Sequence, residues 1–440
     1  MSTLAIAGFI MVIVFMYLLM TKRITAMNAL IVIPILFGIG LGFGPKVGAM
    51  ALDGIKKVAP TAVMIAFAMM YFSVMIDTGL FDPLINRILK ASKGDPMRVV
   101  VGTALLAGIV SLDGDGATTY IITTSAMLAV HKKLGINPII LPTMAIMQNG
   151  VMNIIPWGGP TGRVMSALGL EASQVFVPLI PAMVAGTMWV LFWAYRLGLQ
   201  ERTRLGTLQI GAAEHAAADF STCNIEGSDP NCAALKRPNL FWTNLLMTVV
   251  LMAALVTEFL PLNVLFMIGT ALALMINYPS LKLQQARVAE YGANVIPNIS
   301  MVLGAGIFTG IMSGTKMIDA MANVLTTSIP PEMGSHMALI TALSSLPFDY
   351  FLTNDAFYFG IVPILAKSAA TYGISAAEIA RASLIAQGCH LLSPLVASTY
   401  LLVGMNNVTF EELTKSALFP SIMTSLIMLG TAIAMGVIPL

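Results

Sequence analysis

Two acidic segments lie inside otherwise apolar sequence, one in each half of the chain, and they constrain the fold more than any other feature. The first reads Ser111-Leu112-Asp113-Gly114-Asp115-Gly116-Ala117-Thr118-Thr119 and the second Pro347-Phe348-Asp349-Tyr350-Phe351-Leu352-Thr353-Asn354-Asp355-Ala356-Phe357. Apolar helical stretches flank both. A carboxylate at membrane depth costs roughly 2.5–3.5 kcal/mol on insertion scales, so four of them need a cation, a proton or water nearby. Matching interruptions in the two halves of a membrane chain mark a midplane transport site. The pattern therefore predicts a secondary transporter.

Membrane residence follows from composition. Of 440 residues 57% are hydrophobic and only 10% charged, against about 25% charged in a soluble domain. Basic clusters interleaved with aromatics are absent, which argues against nucleic-acid binding. Cys223, Cys232 and Cys389 are too few and too irregularly placed for a disulfide framework or a zinc site. The first two fall in a polar loop assigned to the cytoplasm, where reduced thiols are expected. Met1–Met20 lacks a basic leader and a small-x-small cleavage site and reads as an uncleaved first span.

Runs long enough to span the hydrocarbon occur at Thr3–Met20, Ile24–Phe43, Val58–Ile76, Pro138–Trp157 and Phe176–Tyr195. They resume at Leu240–Leu260, Leu262–Tyr278, Val295–Met312, Ala376–Leu402 and Ala417–Ile438. The two acidic segments each join a pair of shorter apolar arms, about 97–131 and about 336–370. Such arms predict re-entrant helical hairpins whose tips stop inside the membrane, an arrangement permitted where irregular backbone lines a cavity. Amphipathic pieces at Phe81–Ser92 and Met317–Thr326 precede the hairpins and are expected at the interface.

The halves repeat. An offset of 237 pairs Met75 with Met312, Thr78 with Thr315, Asp82 with Asp319 and Asn86 with Asn323. An offset of 238 pairs Gly135 with Gly373, Gly150 with Gly388, Pro156 with Pro394 and Thr161 with Thr399. Several of these identities are Gly or Pro, the residues that break or bend helices. The expected fold is an all-α polytopic membrane protein of two inverted-topology repeats, each with five spans, a hairpin and a broken helix. Residues 1–196 form the first repeat, 197–238 a cytoplasmic linker and 239–440 the second repeat. Placing Thr21–Arg23 in the cytoplasm puts sixteen of the 23 Lys and Arg residues inside, as the positive-inside rule requires. Both termini then lie outside the cytoplasm.

The chemistry concentrates in the tips and the broken helices. Asp113, Asp115 and Thr118 crowd around Gly114 and Gly116, and the second tip offers Asp349, Thr353, Asn354 and Asp355. Carboxylates, hydroxyls and carbonyls together suit a hard cation or a proton. The competing reading is that each Asp simply caps the helix that follows it. An EF-hand is excluded because no ligand glutamate follows Asp113-Gly114-Asp115-Gly116 at the required spacing. In the broken helices, Asn149, Asn153, Thr161 and Thr399 are candidate donors to carboxylates of a substrate. Arg163 is the basic side chain after the first break. His390, with Gln387 and Ser393 beside it, is either a structural histidine or a proton relay.

These residues resemble a known family. Leu112-Asp113-Gly114-Asp115-Gly116, Ile155-Pro156-Trp157-Gly158-Gly159, Thr353-Asn354-Asp355-Ala356-Phe357-Tyr358-Phe359-Gly360 and His390-Leu391-Leu392-Ser393-Pro394-Leu395 resemble the citrate–divalent-metal:proton symporters (CitMHS) of the ion transporter superfamily. The likeness covers nearly all of the chain except Leu197–Pro238. Thr353 and Gly162 stand where serine and proline would be expected.

The resemblance implies proton-coupled symport of citrate complexed with a divalent metal of the Mg or Ca type. The metal travels as co-substrate, with no permanently bound cofactor. It implies that Asp115 and Asp355 face the metal of the complex, and that Asp113, Asp115, Asp349, Asp355 and His390 serve proton or metal coupling. Substrate contacts then fall to Gly114, Asp115, Gly116, Thr118, Asn149, Asn153, Thr161, Arg163, Thr353, Asn354, Ser393 and Thr399. Superfamily relatives imply a homodimer in the cell (inner) membrane. On the same scaffold, a cation/proton antiporter or a sodium-coupled di- or tricarboxylate symporter is the alternative. An intramembrane aspartyl protease is a remote one, because its Gly-x-Gly-Asp motif is missing.

Overall fold

Caps and glycines punctuate the chain into helices. The structure, a computed structural model, describes residues 2–92, 94–205, 232–257, 259–328 and 330–440. Cys223 and most of the linker at 197–238 lie outside the described residues. The first half runs α1 (Thr3–Met20), α2 (Ala26–Gly38), α3 (Gly44–Asp77), α4 (Asp82–Ser92), α5 (Pro96–Val110), α6 (Gly116–Leu134), α7 (Ile140–Met152), α8 (Gly159–Leu168) and α9 (Ile180–Leu205). The second runs α10 (Phe241–Val256), α11 (Leu262–Asn277), α12 (Leu281–Gly314), α13 (Met317–Ser328), α14 (Met337–Phe351), a wide helical turn Ala356–Ile361 leading into α15 (Val362–Ala369), α16 (Ala376–Leu384), α17 (Gln387–His390), α18 (Ala397–Asn406) and α19 (Phe410–Ala434). No strand occurs among the described residues.

Local chemistry accounts for the boundaries. Asp95 caps α5, accepting from the Met97 N–H at 3.0 Å, with Pro96 in the first turn. Gly135 ends α6 in the left-handed region at φ 70°, where a Cβ would be strained. Reciprocal capping boxes start α16 (Ser375 with Glu378) and α19 (Thr409 with Glu412).

The order of elements runs twice with matching lengths: α3 and α12 have 34 residues each, α5 and α14 have 15, and α8 and α18 have 10. Both 34-residue helices carry an internal proline at equivalent positions, Pro60 and Pro297. They lie directly against each other. A Cβ on Gly54 would fall 1.9 Å from the Gly306 carbonyl oxygen, and one on Gly310 2.4 Å from that of Met50. Close backbone approach through small residues is how membrane helices gain contact without a hydrophobic driving force.

Seven helical stretches among the described residues have the length and apolarity to cross a membrane, while Leu262–Asn277 and Met337–Phe351 are apolar but shorter. Two expectations need correction. The spans expected at Val58–Ile76 and Val295–Met312 are only the apolar parts of α3 and α12. Each helix continues N-terminally through polar turns containing Asp53 and Lys56, or Lys282, Arg287 and Glu290. Pro138–Trp157 and Ala376–Leu402, where broken helices are expected, are interrupted: the first ends at Met152, and the second breaks around α17 and again before Ala397. Cys232 is disulfide-bonded rather than a reduced thiol. Beside it, Lys236 pairs with Asp82 at 2.8 Å and the Arg237 N–H donates to the Thr78 carbonyl, fastening the entry to the second half against the α3–α4 turn.

Candidate functional site

The first tip is built by a helix that ends early. After α5, one tight turn over Ser111–Asp113 leads to Gly114 at φ 82°. A Cβ there would sit 2.6 Å from Trp157 Cδ1, so both conformation and space require glycine. The Trp157 indole N–H donates to the Leu112 carbonyl at 2.8 Å. Asp115 caps α6: its Oδ2 accepts the Thr118 N–H at 2.9 Å and the Thr118 hydroxyl at 2.8 Å. Asp113 is buried and accepts the Asp115 N–H at 3.0 Å.

The second tip repeats this plan with different side chains. Thr353 takes the capping position, its Oγ accepting the Ala356 N–H at 3.2 Å. Asp349 is wholly buried; its Oδ2 accepts from Gln387 Nε2 at 3.2 Å and its Oδ1 has no partner. The Asp349 backbone carbonyl lies 2.7 Å from His390 Nδ1. A carbonyl only accepts, so Nδ1 carries a proton, and in the neutral ring the lone pair is on Nε2.

Equivalent bonds hold both breaks. The Thr161 hydroxyl donates to the Ile154 carbonyl at 2.8 Å, and that of Thr399 to the Leu391 carbonyl. Asn149 Nδ2 donates to the Tyr120 hydroxyl at 3.1 Å, and Gln387 Nε2 to the Tyr358 hydroxyl at 2.6 Å. The two broken helices cross where neither has a side chain: a Cβ on Gly150 would fall 2.6 Å from Gly388 Cα. Thr161→Val keeps the side-chain shape but leaves a buried carbonyl unpaired, a cost of about 1–3 kcal/mol. A lower melting midpoint in detergent, with the cavity residues untouched, is the expected result; an unchanged midpoint would remove Thr161 from the scaffold.

A cavity of about 260 Å³ lies between the tips and the breaks. Of the residues singled out from sequence, Gly114, Asp115, Gly116, Asn149, Asn153, Arg163, Asn354 and His390 line it. Thr118, Thr161, Thr353, Ser393 and Thr399 do not, and their hydroxyls bond within their own tips and breaks. Asp113 and Asp349 sit behind the wall, and Asp355 pairs with Arg163 at 2.6 Å. The opposite wall comes from the two long helices: Ile65 and Met69 of α3, and Asn298, Met301 and Val302 of α12. Sequence reading missed this wall because most of its residues are ordinary apolar span residues. Only Asn298, a polar residue directly after Pro297 in an apolar run, carried a signal. A larger cavity of about 400 Å³ carries only Lys57 and Glu171 as charged lining and none of the tip residues.

Two helices start at the cavity without a side-chain cap. The first N–H groups of α8 (capping position Gly158) and of α18 (capping position Val396) donate to no capping side chain, and Gly159, Pro160, Val396 and Ser398 line the wall. Gly158 and Val396 are equivalent at the 238 offset. An uncapped helix N-terminus carries partial positive charge and free N–H groups, a ready anion site. The cavity thus presents a carboxylate, amide groups and two positive helix ends together.

Comparison with known proteins agrees with this architecture. A family model described as citrate transporter, CitMHS, matches residues 1–386. A citrate transporter of Bacillus subtilis (strain 168) is 54% identical over 99% of both chains. A Mg(2+)/citrate complex secondary transporter of the same organism is 47% identical over 99% of both. Among solved structures, the YdaH transporter of Alcanivorax borkumensis aligns over 90% of this chain and 88% of its own, with 14% identity and TM-score 0.52. MtrF of Neisseria gonorrhoeae aligns over 90% of this chain and 85% of its own, with 12% identity and TM-score 0.57. These two likenesses concern the fold alone.

Proposed function

The chain belongs to the CitMHS citrate transporter family, and from that premise we propose that it carries citrate as a complex with a divalent metal ion, in symport with protons. It is a transporter and not an enzyme. The observation that supports the reading most directly is the charge pattern of the cavity, where Asp115 faces the same space as the uncapped starts of α8 and α18. Free citrate near neutral pH is a trianion. At about 4 Å a like-charge pair costs on the order of 4 kcal/mol with an effective dielectric of 20, so Asp115 repels the bare anion. Complexed to a divalent cation, citrate presents a positive centre to Asp115 and carboxylates to the helix ends, Asn149, Asn153 and Asn354. Among the described residues no three His, Cys, Asp or Glu side chains converge to hold a metal. A metal in this cavity would therefore combine ligands from its own anion with single carboxylates such as Asp115.

Proton coupling has two candidate carriers, the lone pair of His390 Nε2 and the unpartnered Oδ1 of Asp349. Residues 1–196 and 239–440 act in this reading as inverted repeats about the linker at 197–238. The tips then enter from opposite faces, both termini lie outside the cytoplasm, and the protein works in the cell membrane as a homodimer. The matching order and lengths of the helices in the two halves support the repeat.

The test is uptake of labelled citrate into proteoliposomes under an inward proton gradient, across a Mg²⁺ and Ca²⁺ series. Uptake should rise with the concentration of complex and vanish in EDTA. Equal uptake with and without metal would eliminate the complex as substrate, and uptake indifferent to a protonophore would eliminate proton coupling.

A further inference from the structure

Arg163 and Asp355 form the ion pair at the cavity, Nε to Oδ1 at 2.6 Å, joining the broken helix of the first half to the hairpin tip of the second. Several polar contacts that shape the site have a counterpart in the opposite repeat: the capping side chains Asp115 and Thr353, the Tyr–amide bonds, and the Thr161 and Thr399 staples. This pair has none. At the 238 offset, Arg163 corresponds to Leu401 and Asp355 to Ala117. The Trp157 bond to Leu112 and the His390 bond to Asp349 also occur once, but each stays within one half; this pair is charged, crosses between the halves and has Arg163 on the cavity wall, which points to the guest rather than the fold.

The surroundings leave the pair room to open. Gly159 has no side chain where a Cβ would fall 2.8 Å from Arg163 Nη1. The second nitrogen, Nη2, donates to the Met301 sulfur at 3.5 Å, a weak acceptor that a carboxylate readily replaces. Both side chains keep some exposure, 15% and 17%.

We infer that Arg163–Asp355 is a displaceable counter-ion pair that makes the site accept metal and citrate only together. On binding, a citrate carboxylate takes over the Arg163 guanidinium and the metal takes over the Asp355 carboxylate. Metal alone would separate the pair and leave Arg163 uncompensated. Citrate alone would leave Asp355 uncompensated. Removing one partner of a largely buried pair is strongly unfavourable, and the complex is the guest that satisfies both. Discrimination thus comes from a penalty on each single ligand. The inference rests on the metal–citrate reading of the cavity.

Calorimetric titration of the purified full-length protein in nanodiscs tests it, using Mn²⁺ alone, citrate in EDTA, and Mg²⁺ with citrate. Arg163→Gln should bind Mn²⁺ without citrate about tenfold more tightly than the unsubstituted protein, and Asp355→Asn should bind metal-free citrate about tenfold more tightly, each a shift of about 1.4 kcal/mol. Unchanged single-ligand affinities in both variants would overturn the inference. So would wild-type uptake by the reversed pair, Arg163→Asp with Asp355→Arg, since a purely structural pair survives reversal. If Arg163→Gln does not yield monodisperse protein, Asp355→Asn decides alone. The unsubstituted protein provides the separate check: equal binding of metal-free citrate and the complex would refute the substrate reading itself, whatever the variants do.

Discussion

Asp115→Asn is expected to leave the protein folded and to abolish citrate uptake. The side chain serves two purposes that this substitution separates. As cap of α6 it uses a single oxygen, Oδ2, for both the Thr118 N–H and the Thr118 hydroxyl. Asparagine caps about as well as aspartate, so stability and the shape of the first tip should persist. The charge disappears. If that carboxylate meets the metal centre of the bound complex, losing it removes on the order of 3 kcal/mol of charge-assisted interaction, about a hundredfold in apparent affinity. Melting midpoint and size-exclusion profile should match the unsubstituted protein while proteoliposome uptake falls to background. A variant that transports at the original rate would reduce Asp115 to a helix cap and empty the cavity of its negative pole.

Gly150→Ala should fail where Gly388→Ala succeeds. The two glycines occupy equivalent positions in the repeats and touch each other, yet their missing side chains point in different directions. The Cβ of an alanine at 150 would fall 2.6 Å from Gly388 Cα and 3.2 Å from its nitrogen, against backbone that cannot swing aside. At 388 the nearest atom would be Ser421 Cβ at 3.7 Å, an ordinary contact. Overpacking of a tight core costs about 1–3 kcal/mol where side chains can yield and more where backbone must move. The broken helices would be pushed apart at the point that holds both breaks beside the cavity. Expected results are a large drop in folded yield and complete loss of uptake for Gly150→Ala, with near-normal stability for Gly388→Ala. Equal behaviour of the two variants would mean that the helices do not cross there.

Much of the fold is legible in the residues because helix breakers and apolar periodicity act locally. The apolar arms around the acidic segments form the helices Pro96–Val110 and Gly116–Leu134, and Met337–Phe351 and Val362–Ala369, since Gly114 and the Leu352–Asp355 segment end the apolar runs. The amphipathic pieces before each hairpin become α4 and α13 for the same reason. Helix ends in polar sequence were less legible. Beyond the apolar limit, α3 and α12 continue for several turns that charged residues permit but do not announce.

Within the site, residue type identified the polar cluster but not the partner of each group. Asn149, Asn153, Asn354 and His390 reach the cavity, whereas Thr161 and Thr399, also polar, turn back to staple their own breaks. Arg163 and Asp355, which sequence assigned to substrate carboxylate and metal separately, meet each other. From the chain alone came its membrane setting, its doubled order of helices, the location of the tips and breaks, and its family likeness, because all of these are written in local pattern. Which hydroxyl closes on which carbonyl, which charges pair across the repeats, and which apolar residues of α3 and α12 wall the cavity were decided only on folding. Those choices depend on distances between segments far apart in sequence, and a side chain's bonding options do not rank themselves until its neighbours are in place.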